Sequence, residues 1–253
     1  MAFPAVSLSG RTVLVSGAGR GLGRAFAEAC AEAGARVILC DIDAEASERA
    51  AAELRAAGHE ATALPVDIGE EASILALAEA VRARFGSLHG LLNNAAIATG
   101  IGGKTFAEID TDTWDRVFRV NVRGTWLMVK HLVPLMPDGG AIVNIASDTA
   151  LWGAPRLLHY VGSKGAVIAI TRSLARELGP RRITVNCIAP GLVRVWATEY
   201  VPAERHRLYE EGRAIPRPQY PEDVTGAAVF LLSPAAAFVT GQLLPVNGGF
   251  VFD

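Results

Sequence analysis

The sequence predicts a single α/β domain over residues 1–253, a doubly wound sheet of seven parallel strands held between two layers of helices. Three observations point there. Arg11–Ser16 (RTVLVS) is a short apolar run that enters the glycine-rich SGAGRGLG and then a helical pattern ending at Gly34, so strand, turn and helix follow directly. Further strand-like runs alternate with helical ones along the chain, which implies parallel strands joined by right-handed crossovers. A chain of 253 residues that is 51% hydrophobic is long enough to bury one substantial core.

Composition narrows function by exclusion. A net charge of -2, with both signs mixed along the chain, gives no basic stripe and argues against nucleic acid as a partner. Cys30, Cys40 and Cys187 are widely spaced in apolar or helical runs, so buried thiols are expected in place of a disulfide framework or a metal site. The start, MAFPAVSLSGRTVLVSG, has no basic segment followed by a long apolar one, and no later run approaches the roughly 20 apolar residues of a membrane span. A soluble cytoplasmic protein with no membrane partner is expected.

The turn from Ser16 to Gly23 carries Gly17, Gly21 and Gly23, with Arg20 and Leu22 between them. Such a turn lets backbone N–H groups and a helix N-terminus face an anionic pyrophosphate. The next strand, Arg36–Cys40, ends at Asp41, about 20 residues on, where a carboxylate can accept hydrogen bonds from an adenosine ribose and repel a 2′-phosphate. No basic residue follows at Ile42, Asp43 or Ala44, whereas Arg20 could meet a 2′-phosphate; the balance favours NAD over NADP. The alternative for Asp41 is an N-cap of the helix that follows.

Thr62–Val66 reads as a strand leading to Asp67 and Ile68, followed by a helix over roughly Glu70–Phe85 and a strand through Leu88–Leu92. Asn93, Asn94, Ala95 and Ala96 close that strand. Residues 97–109 hold three glycines and read as a mobile loop before a helix starting near Asp112, which Pro134 and Pro137 end. Inside it, Asn121-Val122-Arg123-Gly124 joins a weak helix former to a helix weakener.

Ala141–Ala146 delivers Ser147 at a strand's carboxyl end, where open parallel sheets place ligands. Tyr160 and Lys164 lie four residues apart in a helical run and share one face. Tyrosine titrates near ~10, and its use as a base at neutral pH needs a shift worth about 3–4 kcal/mol. One positive charge at about 4–5 Å in an effective dielectric of about 20 supplies energy of that order. Lys164 is therefore expected to make Tyr160 a proton acceptor, with Ser147 holding the reacting oxygen. His159 should point elsewhere on the helix. The rest of that helix is apolar on several faces, which suits a crowded core or a subunit contact.

Ile183–Ile188 is a further strand, closed by Pro190-Gly191. Residues 191–220 then shift to Pro, Arg and aromatics, including Trp196, Tyr200, Tyr209 and Tyr220, and read as a lid without a clear buried face. Its aromatics could line a pocket or pack the lid down. A helix over Pro221–Leu232 and a short strand Leu243–Val246 finish the domain.

Taken together these motifs resemble the short-chain dehydrogenase/reductase family over nearly the whole chain. Gly17, Gly21 and Gly23 are similar to its T-G-x-x-x-G-x-G, with Ser16 for threonine; Asn93 to Ala96 to its N-N-A-G, with Ala96 for glycine; and Ser147, Tyr160 and Lys164 to its serine and Y-x-x-x-K. Val239-Thr240-Gly241-Gln242 and Asn247-Gly248-Gly249 are similar to its V-T-G-Q-x-x-x-V-x-G-G ending. The family's threonine four residues after the P-G glycine is Val195 here, and Thr198 comes later.

The resemblance implies a Rossmann-type, three-layer fold and a nicotinamide cofactor touched by Gly17, Arg20, Gly21, Leu22, Gly23, Asp41, Asp67, Ile68, Asn94, Ala95, Tyr160, Lys164, Pro190, Gly191 and Val193. Asp67 and Ile68 would flank the adenine, and Lys164 would also bind the nicotinamide ribose. It adds Asn121 to the catalytic group, its freed carbonyl holding a water on a proton path to Lys164. It implies a homotetramer or homodimer through the Tyr160 helix and its neighbour.

The expected partner is a small alcohol or ketone. Leu151, Trp152, Leu157, Leu158 and the aromatic lid suggest an apolar pocket, with Ser147, Trp152, Tyr160 and Trp196 against an aryl or cyclic secondary alcohol; a loose resemblance to the branch acting on aromatic secondary alcohols agrees. Arg156 or Arg194 could instead serve a polar or anionic substrate. The alternatives are an NADPH-dependent carbonyl reductase, a polyol or sugar dehydrogenase, or a nucleotide-sensing scaffold without catalysis.

Overall fold

In the computed structural model, which describes residues 6–253, seven strands form one parallel sheet in the order β3-β2-β1-β4-β5-β6-β7. They are β1 Thr12–Ser16, β2 Arg36–Asp41, β3 Ala61–Pro65, β4 Gly90–Asn93, β5 Ala141–Ile145, β6 Thr184–Pro190 and β7 Leu243–Val246. The first residues of the chain, part of the start read for a leader, lie outside the described ones. Among the described residues no helix is long and apolar enough to cross a membrane, and no cluster of metal-ligating side chains occurs.

The central strands are mostly apolar because both faces are covered. Successive side chains leave a strand on opposite sides. Val13, Val15, Leu39, Val143 and Ile188 therefore pack with Phe26 of α1 (Gly21–Glu32), Ala50 of α2 (Ala44–Ala56) and Leu231 of α9 (Glu222–Leu232). Leu14, Ile38, Leu91, Ile142 and Val185 face Leu77 of α3 (Glu71–Phe85), Met128 of α5 (Thr125–Leu132) and Ala175 of α7 (Leu158–Leu178). Each buried aliphatic or aromatic side chain contributes about 1.5–3 kcal/mol to this two-sided core. All three cysteines are free and buried.

Strand order reverses between β1 and β4, which pair with each other while their crossovers run to opposite sides. In doubly wound sheets the crevice at the carboxyl ends of such a pair takes the ligand.

Several sequence expectations need correction. The helix expected from Asp112 onward is three pieces: α4 (Thr111–Phe118), a π-helical turn (Arg119–Gly124) and α5. Gly124 sits in the wide turn because a Cβ there would come within 2.6 Å of the Ile68 carbonyl oxygen. The lid has a buried face after all. It contains α8 (Ala203–Gly212), whose His206 and Tyr209 are buried, preceded by a 3-10 turn at Trp196–Thr198. Polar composition concealed α8: only two of its ten residues turn inward. A four-residue helix, α6 (Thr149–Trp152), follows Ser147 and was not anticipated. Helix α2 is capped by Asp43, whose carboxylate accepts from the Ala46 N–H at 3.0 Å; Asp41 is not its N-cap.

Candidate active site

The glycine turn is fixed from three sides. Gly17 has φ +66°, and a Cβ on it would lie 2.9 Å from the Ala95 Cα; a Cβ on Gly23 would lie 1.9 Å from the Gly17 oxygen. Turn and β4 are stapled together: the Asn94 amide donates to the Ser16 and Gly17 carbonyls at 3.0 and 3.2 Å, and the Asn94 and Ala95 N–H groups donate to the Ser16 hydroxyl at 3.1 Å each. Both donor positions of the Asn94 amide are thus directed at the turn.

Asp41 closes the third side. One carboxylate oxygen accepts from the Gly19 N–H at 2.9 Å and the other from the Asp43 N–H at 3.0 Å, which leaves lone pairs on both for further donors. No side chain caps α1, and its first turn holds no acidic residue. The N–H groups of a helix's first turn have no intrahelical acceptor. A 12-residue helix opening uncapped behind a glycine turn, with a spare carboxylate one strand away, fits a dinucleotide pyrophosphate and its ribose.

The other proposed cofactor residues divide. Leu22 is half-buried and packs on the α1 side of the core, and Val193 is buried there too. Ile68 is 5% exposed and belongs to the opposite core, which leaves little side-chain surface for an adenine. Asp67 makes an Asx turn, its carboxylate accepting from the Gly69 N–H at 2.8 Å. Pro190 ends β6, and its carbonyl accepts from the Asp148 N–H at 3.0 Å; the Gly191 N–H donates to the Val246 carbonyl at 3.3 Å. Thr198 does not take over from the missing threonine at Val195: its hydroxyl is engaged with the Val193 carbonyl at 2.6 Å and the Val195 carbonyl at 2.9 Å.

Beyond β5, Ser147 is 8% exposed. Its oxygen accepts from the Thr149 N–H at 3.3 Å and the Thr149 hydroxyl at 2.9 Å, so it caps the start of α6 and keeps its own proton to donate. Thr149, which no sequence motif singled out, thereby orients the serine. Tyr160 and Lys164 rise from the first turns of α7, with the ammonium nitrogen 5.6 Å from the phenol ring centroid. Lys164 is buried and donates to the Ile145 carbonyl at 2.7 Å; burial lowers its pKa to about 8.

Tyr160 differs from the sequence expectation. Burial pushes the phenol above its ordinary value; Ser147 pulls it back, while the nearby Asp148 and Tyr200 push it further up. The ammonium group is turned to the Ile145 carbonyl. Desolvation outweighs what one lysine was expected to supply.

Asn121 lies in the π-helical turn and is buried. Its side-chain oxygen accepts from the Ile97 N–H at 2.7 Å, and its amide donates to the Ile97 carbonyl and the Ser163 hydroxyl at 3.1 Å each. Its backbone carbonyl accepts from the Thr125 hydroxyl at 2.8 Å. Asn121 thus ties the loop after β4 to α7, one residue before Lys164.

The lid meets this edge at several points. The Tyr200 hydroxyl donates to the Ala98 carbonyl at 2.8 Å and so joins the lid to the 97–109 loop. Trp152 packs edge-on against Tyr209 and Phe250, and its indole N–H donates to the Tyr209 hydroxyl at 3.2 Å. Trp196 is 54% exposed with the Arg20 guanidinium stacked on it. The two arginines that could have served a polar substrate are engaged elsewhere: Arg194 pairs with Glu210 at 2.6 Å, and Arg156 donates to the Gly103 carbonyl at 2.8 Å.

Fold and crevice define a Rossmann-type dinucleotide-binding protein. A family model described as enoyl-(acyl carrier protein) reductase matches residues 17–251. The sequence is 38% identical over 249 residues to a 2,5-dichloro-2,5-cyclohexadiene-1,4-diol dehydrogenase of Sphingobium indicum, covering 96% of this chain and 98% of that one. It is 36% identical over 256 residues to a sorbitol dehydrogenase of Cereibacter sphaeroides, covering 96% and 98%. Among solved structures, a Brucella melitensis protein described as a short-chain dehydrogenase/reductase, glucose/ribitol dehydrogenase, superposes with TM-score 0.91 at 31% identity, covering all of both chains. A 3-ketoacyl-(acyl-carrier-protein) reductase from the same organism, complexed with NADH, gives 0.87 at 34% identity over 97% of this chain and 100% of that one. A blue fluorescent protein from a metagenomic library, complexed with NADPH, gives 0.90 at 31% identity over 97% and 100%. The chain belongs to the short-chain dehydrogenase/reductase family.

Proposed function

We propose that this protein is an NAD-dependent dehydrogenase of an apolar, cyclic or aryl secondary alcohol, acting reversibly on the corresponding ketone. The coarser reading, an oxidoreductase acting on alcohols with a nicotinamide cofactor, follows from the family and from relatives described as diol and sugar-alcohol dehydrogenases. NAD over NADP rests on one observation: Asp41 bonds the Gly19 N–H from the end of β2 and keeps acceptor capacity there. A 2′-phosphate would meet that carboxylate directly.

The cofactor, when bound, supplies the acceptor for hydride. Gly17 to Gly23, the α1 N-terminus and Asp41 would hold its adenosine and pyrophosphate end, and Lys164 the nicotinamide ribose. The Ser147 hydroxyl, already oriented by Thr149, donates to the substrate oxygen. Tyr160 takes the hydroxyl proton in the oxidation direction and returns it in reduction. Lys164, one turn further along α7, would stabilise the phenolate, and the Asn121 carbonyl would hold a water on the proton's path to solvent.

An apolar substrate is favoured because Leu151, Trp152 and Leu157 are half-buried in the stretch after Ser147, although Leu158 is exposed, while Arg156 and Arg194 are engaged in structural bonds. A polyol reading draws on the sorbitol dehydrogenase relative. Self-association is proposed through the α4–α7 face, where Phe118, Val122, Trp126 and Ile170 line an open groove containing none of the catalytic residues. The test is reduction of NAD and, separately, NADP with alicyclic, aryl and polyol secondary alcohols. Turnover with NAD on ring-bearing alcohols is expected; preference for sorbitol-like polyols, or for NADP, overturns the finer reading.

A further inference from the structure

Among the described residues Arg213, just past α8, is the only buried arginine, 5% exposed, and no part of the proposed chemistry uses it. Taking a guanidinium out of water is costly unless its N–H groups find acceptors. The acids of its own stretch do not supply them: Glu210 pairs with Arg194 and Asp223 with Arg217. Four carbonyl oxygens do. Nε donates to the Asn247 carbonyl at 3.0 Å and one terminal nitrogen to the Arg217 carbonyl at 2.9 Å; the other terminal nitrogen donates to the Leu192 carbonyl at 3.1 Å and to the Gln219 side-chain oxygen at 3.0 Å.

These acceptors come from separate segments. Leu192 follows the Pro190-Gly191 turn, Arg217 and Gln219 lie where the lid ends, and Asn247 is in the turn after β7. Gln219 is itself buried and extends the grip: its amide donates to the Val246 carbonyl at 2.6 Å, its backbone carbonyl accepts from the Arg194 N–H at 2.7 Å, and it pairs with Val193 in an isolated parallel bridge. A Cβ on Gly191 would lie 2.9 Å from the Gln219 side-chain oxygen and 3.0 Å from a terminal nitrogen of Arg213, so the turn is packed directly on this pair. A planar guanidinium with its donors in a fixed fork suits acceptors spread around it, where the single nitrogen of a lysine cannot reach them all.

Sheet order says which part of a dinucleotide this backbone would meet. Asp41 ends β2 and bonds the Gly19 N–H of the turn after β1, whereas Ser147 follows β5 and Pro190 ends the adjacent β6, its carbonyl accepting from the Asp148 N–H at 3.0 Å. A cofactor with its adenosine at the end of β2 therefore reaches Ser147 and the Pro190 turn with its nicotinamide end. We propose that Arg213 is a positioning residue for the nicotinamide half of the cofactor: from behind, it holds the backbone from Gly191 to Arg194 in place to receive that half. The adenosine half does not depend on it.

This rests on the reading that Pro190 to Val193 lie beside the nicotinamide, and the experiment separates the two claims. Isothermal titration calorimetry measures the binding of NADH, and of ADP-ribose, which lacks the nicotinamide base, to wild type, Arg213→Met and Arg213→Lys. Arg213→Met should weaken NADH about tenfold, the worth of one hydrogen bond to a charged group, and leave ADP-ribose within about twofold. Arg213→Lys should fall between wild type and Arg213→Met. Tyr200→Phe, which frees the lid from the 97–109 loop without touching Arg213, should leave both ligands within about twofold of wild type. Equal weakening of both ligands in folded Arg213→Met protein, or weakening of neither, overturns the proposal. The same split in Tyr200→Phe also overturns it, because the effect would then belong to the lid as a whole. If Arg213→Met does not fold, Gln219→Leu takes its place, and absence of the split there overturns the proposal. Wild-type protein that binds NADH no more tightly than ADP-ribose overturns the nicotinamide reading of the turn itself.

Discussion

Arg20 stacks on Trp196, its guanidinium carbon 4.3 Å from the ring centroid. The contact joins the residue that opens α1 to the first residue of the lid's 3-10 turn. It commits to the lid the one basic group in the glycine turn that could meet a 2′-phosphate. An exposed cation–π contact is worth about 0.5–1 kcal/mol. Trp196→Ala should therefore raise the NADP-to-NAD ratio of kcat/KM by about 2–5-fold, the change expected for releasing that energy. Steady-state kinetics with both coenzymes checks this, and an unchanged ratio means that Trp196 does not restrain Arg20.

Asp41 should matter more. Its replacement by Ala removes a buried-side acceptor for the Gly19 N–H and the repulsion of a 2′-phosphate together. Hydrogen bonds to charged groups are worth about 1.5–3 kcal/mol, so Asp41→Ala should cost roughly tenfold or more in kcat/KM with NAD while NADP use improves relative to it. Measuring both coenzymes in parallel decides it. If NADP does not gain on NAD, Asp41 is not the selector.

Asn121 gives a stability prediction with a kinetic consequence. Asn121→Ala strips partners from the Ile97 N–H and carbonyl and from Ser163, and such losses cost about 2–4 kcal/mol in a buried site. A domain of this size should lose roughly 5–10 °C in Tm. Differential scanning calorimetry reads the loss, and kcat should fall with it because Ile97 anchors the loop the lid meets.

Lys164 predicts a pH effect on stability. Its folded pKa, lowered to about 8, lies below the ordinary lysine value of 10.5. Between those values the unfolded chain holds a proton that the folded one has lost. Stability from this group therefore rises with pH across that window, at up to about 1.4 kcal/mol per pH unit, and is lost as pH falls through about 8. Denaturant titrations of wild type and Lys164→Met from pH 7 to pH 10 should show a difference that changes in this sense; a constant difference contradicts it.

Much of this was legible in the sequence because strands buried on both faces leave continuous apolar runs and turns leave glycines. The seven strands and the glycine turn came from such local signals. What stayed hidden depends on partners distant in sequence. Helix α8 buries only His206 and Tyr209, and Tyr209 makes sense only beside Asp148, which is remote in the chain but 2.8 Å away through its hydroxyl. The π-helical turn shows in the sequence only as Asn121 and Gly124; the Ile68 carbonyl that leaves no room for a Cβ at Gly124 arrives from the segment after β3. Asn94 read as part of a cofactor motif, and its amide also donates to the Ser16 and Gly17 carbonyls, bonds no local pattern reveals.

The central claim is that Tyr160 moves the proton, and replacing Tyr160 with Phe tests it most directly. Phe keeps the ring on α7 and removes only the hydroxyl. NADH binding, followed by fluorescence titration, should stay within about 3-fold of wild type, while kcat for oxidation of a ring-bearing secondary alcohol falls by about 10²–10⁴-fold, the usual worth of a positioned acid or base. Turnover comparable to wild type in a variant that still binds NADH would contradict the account.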